Sequence, residues 1–267
     1  MDYTINPRLW KKKSKELEQY LNAPIADIER QYSDIRKSEQ AIESSLYNSS
    51  DSAAVNSFYQ NTARYLYELL HWESSFQKQE VFQLINCFLK KYKAEAVLDF
   101  GAGIGGLVLY LRKHGIQCDY LDIKGKTFYF AKWRFDKSGS AITMFDGLQG
   151  YPQRAYSCVI AYDMLEHVPN LEETLHCISC LIEKGGFFLV KPTFSGGGIH
   201  LKRNEKYQDM RAFNSLLADE GLVYSGRLKK SFLSRVLNIC GIRLIAGFFL
   251  SKKNKYGGNF LVYRKAR

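Results

Sequence analysis

Four short apolar runs in the middle of this chain each meet a carboxylate: Asp99 in VLDF, Asp122 in CDYLDI, Asp146 in TMFDGL and Asp163 in VIAYD. Asp99 is followed at once by glycines at 101, 103, 105 and 106, and then by the apolar-rich stretch LVLYL. A glycine-rich turn between a strand and a helix leaves bare backbone, over which a ligand can reach the free N–H groups and positive end of the helix. The spelling Gly101-x-Gly103-x-x-Gly106 suits a dinucleotide pyrophosphate as well as a nucleoside carrying a charged tail. Asp99, two residues before the first glycine, separates the two, because a carboxylate there repels a pyrophosphate and attracts an ammonium. A positively charged, aminoacyl-bearing nucleoside is the better occupant.

Asp122 stands 21 residues beyond Gly101, where its two oxygens can accept both hydroxyls of a ribose. Ile123 follows it at the same edge. Asp146, beside Gly147, can accept the exocyclic amine of adenine. The fourth run leads through Asp163 to Glu166 and His167. His200 comes after the glycine-rich stretch KPTFSGGGI. The two histidines are the candidate catalytic groups, as base or acceptor-orienting side chains, since an imidazole titrates near neutrality. Earlier, FYQNTARYLYELLHW concentrates aromatics, which suits either core packing between helices or a lid that covers a cation and excludes water. Within it, Arg64 and Tyr65 are the candidate acceptor-facing residues.

The surrounding pattern says what must hold these groups in place. Before residue 95, apolar residues recur at helical spacing (Leu17, Tyr20, Leu21; Val55 to Leu69; Phe82 to Leu89), which predicts three or four helices. The polar NSSDS at residues 48–52 reads as a linker with an N-cap for the next helix. After residue 95, short apolar runs alternate with helical stretches, the pattern of an α/β fold with a mostly parallel sheet. Strands are expected over residues 96–100, 118–123, 142–145, 158–162 and 186–191, with a C-terminal set clearest at 259–263. Residues 1–74 form an all-helical cap or lid in this reading, and 75–267 the ligand-binding domain.

The set VLDFGAGIGG, YLDI, FDG, VIAYDMLEHV and KGGFFLVKP resembles the class I S-adenosylmethionine-dependent methyltransferases, particularly small-molecule enzymes of the ubiquinone- and menaquinone-biosynthesis type. The resemblance implies a Rossmann-like seven-stranded sheet, helices on both faces, and one antiparallel strand near the edge. It implies S-adenosyl-L-methionine as cofactor. Asp99, Gly101, Gly103 and Gly105 would line the methionine part, Asp122 with Ile123 the ribose, Asp146 with Gly147 the adenine, and Asp163 would lie beneath the methionine end. Tyr156-Ser157 replaces the Phe-Asp usual before the fourth strand. The expected activity is in-line methyl transfer to a small-molecule, carrier-bound or lipid-like metabolite. The alternatives are aminobutyryl transfer or cyclisation with release of methylthioadenosine, an NAD-dependent oxidoreductase, and a non-catalytic binding module.

Composition bounds the rest. The chain has 267 residues, 46% hydrophobic and 24% charged, ordinary for a globular protein with a substantial core. The polar first ten residues and the lack of a long apolar run point to a cytoplasmic protein. Six cysteines are scattered; only Cys177 and Cys180 fall in a C-x-x-C spacing. Without two further soft ligands they read as core thiols, and no metal site is expected. The net charge of +11 comes entirely from residues 196–267, with 15 Lys and Arg against 4 Asp and Glu. Lysine pairs bracket an apolar stretch at residues 228–253, which invites docking on an anionic membrane surface or an acidic carrier protein. The absence of an RNA-binding core motif, and Asp163-Met164-Leu165-Glu166 where amine-methylating relatives carry an Asn-Pro-Pro-Tyr type tetrapeptide, argue against nucleic acid.

Overall fold

The computed structural model describes residues 3–194, 200–228 and 260–266. All of the basic stretch except Leu228 therefore lies outside the described residues, as does Cys240.

Five helices precede the first strand: α1 (Pro7–Leu21), α2 (Ile25–Tyr47), α3 (Ser52–Asn61), α4 (Arg64–Glu73) and α5 (Phe76–Lys91). The side chain of Asp51 caps α3 by accepting from the N–H groups of Ala53 and Ala54, so the NSSDS reading holds. The apolar run 55–69 is not one helix. Thr62, with extended backbone at φ −65° and ψ 129°, ends α3 before α4 begins. The long α2 escaped the periodicity argument because it buries only Ile28 and Leu46, too little to make a stripe.

The rest alternates: β1 (Ala96–Phe100), α6 (Gly106–Lys113), β2 (Gln117–Asp122), α7 (Lys126–Ser138), β3 (Met144–Asp146), β4 (Tyr156–Tyr162), α8 (Leu171–Leu181), β5 (Ile182–Lys191), α9 (Met210–Asp219), β6 (Leu222–Leu228) and β7 (Phe260–Lys265). The strands form one sheet in the order β3-β2-β1-β4-β5-β7-β6. β1 to β5 are parallel, and β7 runs antiparallel to both β5 and β6. β3 is shorter than expected and set later. β5 starts four residues early, through a register shift against β4 between Tyr156 and Cys158.

Helices cover both faces. Ile85 of α5, Leu111 of α6 and Phe135 of α7 pack on one side; Ile178 of α8 and Phe213 of α9 pack on the other. A third core joins Leu17, Leu66 and Leu70 of the N-terminal helices to Ile104 and Phe130. Burial of each such side chain contributes ~1.5–3 kcal/mol, so the N-terminal helices and the sheet domain share a substantial seam. Chain order reverses between β1 and β4, and such a switch point opens a crevice at the carboxyl ends of the strands.

Cys118 and Cys158 are buried in the sheet, but Cys180 is exposed and Cys177 half-buried. The core-thiol reading fails for Cys180, because the outer face of α8 carries it to the surface.

Candidate active site

A cavity of about 860 Å³ opens at those strand ends. Its floor is the loop after β1. Gly101, Gly103 and Gly105 take φ of 76°, 55° and 71°, the left-handed region where a side chain is strained. The loop is tied to β2: Gly101 N donates to Leu121 O over 2.8 Å, and Asp122 accepts from the N–H groups of Gly103 and Ile123. Asp99, Gly101, Gly103, Asp122, Ile123, Gly147 and Asp163 all line the cavity. Gly105 instead packs against α7, where an added Cβ would sit 2.4 Å from Phe135 Cζ. Gly106 lines the cavity in its place. Asp146 Oδ1 is engaged by the N–H groups of Lys124 and Leu148, so this carboxylate shapes the loop that presents Gly147 and Leu148.

Charges beside the glycine loop come from several elements. Asp99 is buried, which pushes its carboxyl up to about 7 although Lys78 pulls the other way. Lys78, from α5, has its ammonium 3.4 Å from the centroid of the Tyr162 ring. Burial lowers its pKa to about 8, against the attraction of Asp163 and Asp99. Asp163 has φ 50°, and its Oδ1 accepts from Lys191 Nζ over 2.9 Å and Thr193 Oγ1 over 3.1 Å. Burial likewise raises Asp122 to about 6. Lys78 had no legible signal in the sequence, since it is one polar residue on an amphipathic helix. Lys191 does stand in the KGGFFLVKP run.

His167 sits in the single 3₁₀ turn Leu165–His167 that follows β4. Its Nδ1 is 2.7 Å from the hydroxyl of Tyr59, which stacks on Tyr65 with ring centroids 5.8 Å apart. His200 meets His167 edge-to-face at 4.9 Å. Burial and then the neighbouring His167 hold its pKa below the usual range. Asn204 fastens the turn, donating to the carbonyls of Leu165, Glu166 and Val168. Glu166 is 1% exposed, and burial, with Asp163 adding, pushes its carboxyl up. Arg64 reaches the cavity wall too, but Glu43 and Glu68 neutralise it. It therefore joins α2 to α4 through those carboxylates while lining the cavity. Of the aromatic stripe, Tyr59, Tyr65 and Tyr67 line the cavity, and Tyr67 also packs against Trp10 and Tyr32.

The donor set fits S-adenosylmethionine. Asp99 and Lys78 offer a carboxylate and an ammonium to an amino-acid head, Asp122 offers a buried carboxylate to a ribose, and the glycine loop offers backbone. The order of strands, the glycine loop and these carboxylates define a class I methyltransferase.

Residues 73–214 match the family described as Methyltransferase domain, and the chain belongs to that family of S-adenosylmethionine-dependent enzymes. Over 145 residues it is 25% identical to the squalestatin tetraketide synthase clz2 of Cochliobolus lunatus and 26% identical to the squalestatin tetraketide synthase of Phoma sp. (strain C2932). Each match takes in 49% of this chain but only 6% of the relative's length. Among solved structures, mitomycin 7-O-methyltransferase superposes with a TM-score of 0.51 at 14% identity, over 76% of this chain and 57% of that one. At that identity the likeness is one of fold. Among the described residues no helix is long and apolar enough to cross a membrane.

Proposed function

We propose that the chain transfers a methyl group to a small-molecule, carrier-bound or lipid-like acceptor seated between the turn after β4 and helices α3 and α4. The observation that carries this reading is the single cavity of about 860 Å³, lined both by carboxylates and glycines and by Tyr59, Tyr65, His167 and His200. S-adenosylmethionine supplies the methyl group and its departing thioether. The protein's part is to hold acceptor and donor in line and to keep water out. Asp99 and Lys78 orient the amino-acid head, and Asp122 the ribose. His167 or His200 takes the proton of a hydroxyl acceptor; for an amine or activated carbon, orientation alone suffices.

The likeness to tetraketide synthases supports an oxygenated, polyketide-type acceptor, as the resemblance to quinone-biosynthesis enzymes does. The basic excess after residue 195 fits delivery on an acidic carrier protein or membrane surface. The test is mass spectrometry of the full-length chain incubated with S-adenosylmethionine and panels of hydroxylated small molecules and carrier-bound acyl chains. Stoichiometric S-adenosylhomocysteine and a product 14 Da heavier are expected. Methylthioadenosine instead would assign the aminobutyryl or cyclising chemistry and overturn methyl transfer.

A further inference from the structure

We infer that Glu166, His167 and His200 form a binding site for a divalent first-row transition-metal cation at the acceptor end of the cavity. One ligand atom from each lies within 4.8 Å of the others. Ligands held at ~2.0–2.2 Å from one ion at tetrahedral angles stand ~3.3–3.6 Å apart, so the widest pair that spread allows closes by about 1 Å to share an ion.

Two orphaned atoms point to a missing partner. Among the described residues, Glu166 Oε2 and His200 Nδ1 are buried without a hydrogen-bond partner, on side chains only 1% and 9% exposed. Buried polar atoms are seldom left unpaired, and finding both in one cluster argues for a shared ligand. Two imidazoles and one carboxylate, with positions left open, suit manganese, iron, cobalt or zinc better than calcium, which prefers oxygen throughout.

The supports around the cluster are those a metal site needs. The Tyr59 hydroxyl lies 2.7 Å from His167 Nδ1, a contact that orients the ring. Leu201 N donates to Glu166 O over 3.0 Å, which brings the neighbour of His200 onto the turn. Asn204 fixes the carbonyls on both sides. The pattern was missed in the sequence because His200 lies 33 residues from His167, joined only through the fold. All three side chains line the cavity, so an acceptor oxygen could complete the coordination, and with the ion bound the two imidazoles serve as ligands and neither acts as the base. That consequence rests on the proposed reaction; binding of the ion does not.

The test is titration of the chelator-treated full-length protein with Co²⁺, followed by visible absorbance, and with Mn²⁺, followed by pulsed electron paramagnetic resonance. One equivalent should bind, with nitrogen couplings from imidazole in the Mn²⁺ spectrum. Glu166→Gln and His200→Asn should each weaken Co²⁺ binding at least about tenfold while affinity for S-adenosylhomocysteine stays unchanged. If Glu166→Gln fails to fold, the nitrogen couplings and the His200 variant still decide. Wild-type binding no tighter than in the variants, or no nitrogen coupling, overturns the site. Methyl transfer without metal binding would leave the proposed function standing and remove this inference alone.

Discussion

The Arg134 guanidinium of α7 donates to Glu73 Oε1 over 2.9 Å and to the Ile104 carbonyl over 2.7 Å, so one buried cation fastens the last residue of α4 to the cofactor loop. Lys13 of α1 reaches the same Glu73 oxygen at 2.7 Å. Glu16 of α1 accepts from Arg134 Nε at 2.9 Å. Glu73 in turn explains a glycine: a Cβ on Gly106 would sit 2.5 Å from Glu73 Oε2. Helices α1 and α4, the loop and the first turn of α6 thus meet on one carboxylate.

Removing Arg134 should loosen all three. Arg134→Ala leaves a buried carboxylate with Lys13 alone, and breaking such a pair costs about 3–5 kcal/mol. The urea midpoint should fall accordingly. Arg134→Lys should recover only part, because a point charge cannot reach two carboxylates and a carbonyl as the planar fork does.

Acid should act through the same carboxylate. Burial alone would raise the Glu73 pKa, but Arg134 and Lys13 overcome it and bring the group down to about 2. A folded pKa below the unfolded one means the stabilisation is fully present above about pH 4.5 and drains as pH falls toward 2. Glu73→Gln should be less stable at neutral pH and show a flatter loss between pH 5 and pH 3 in denaturant titrations.

Gly101→Ala tests the loop. The position takes φ 76°, and a Cβ there would lie 2.7 Å from Met164 Cγ. The left-handed conformation alone costs a side chain ~1–2 kcal/mol. Gly115 has φ 81° with nothing within 4 Å of its Cβ, so Gly115→Ala should show that backbone cost only. Calorimetry should find cofactor affinity lowered by Gly101→Ala and untouched by Gly115→Ala.

The contrast between those glycines shows which parts of the fold could be read in advance. Apolar strands closed by carboxylates, and a turn that only glycine can make, are local patterns, so β1, β2, β4 and the cavity floor were legible. Lys78, Arg134 and the partners of Arg64 were not, because an ion pair between distant helices leaves no periodic trace. β3 and β5 were misplaced at their ends, where register against a neighbour sets the boundary. β6 merged into a general C-terminal set because only Leu222 and Leu228 are buried along it.

Cofactor binding should move protons. Asp99, held at about 7 by burial against the pull of Lys78 and under repulsion from Asp122, is partly protonated near neutrality. An ammonium set beside it lowers that pKa, so binding should release protons between about pH 6 and pH 7. Lys78, at about 8, faces a carboxylate and should take up protons above that range. Isothermal calorimetry in buffers of different ionisation enthalpy reads both signs. Asp99→Asn should abolish the release, and unchanged proton release in that variant would remove Asp99 from the cofactor head.

Kinetics can separate a role of Tyr59 through His167 from simple packing. Its hydroxyl lies 2.7 Å from His167 Nδ1, while its ring stacks on Tyr65 at 5.8 Å and meets Phe58 edge-on at 5.6 Å. Tyr59→Phe keeps both ring contacts and deletes only the hydroxyl, so folding stability should change by no more than about 1–2 kcal/mol. If the hydroxyl fixes the orientation and tautomer of His167, kcat should fall about tenfold or more with the KM for S-adenosylmethionine unchanged, since the cofactor end is built from other residues. The loss should also vanish in a His167→Asn background, because two residues acting through one contact are not additive. A kcat drop of equal size in both backgrounds would make Tyr59 an independent wall of the acceptor pocket, and an unchanged kcat would leave it as packing alone.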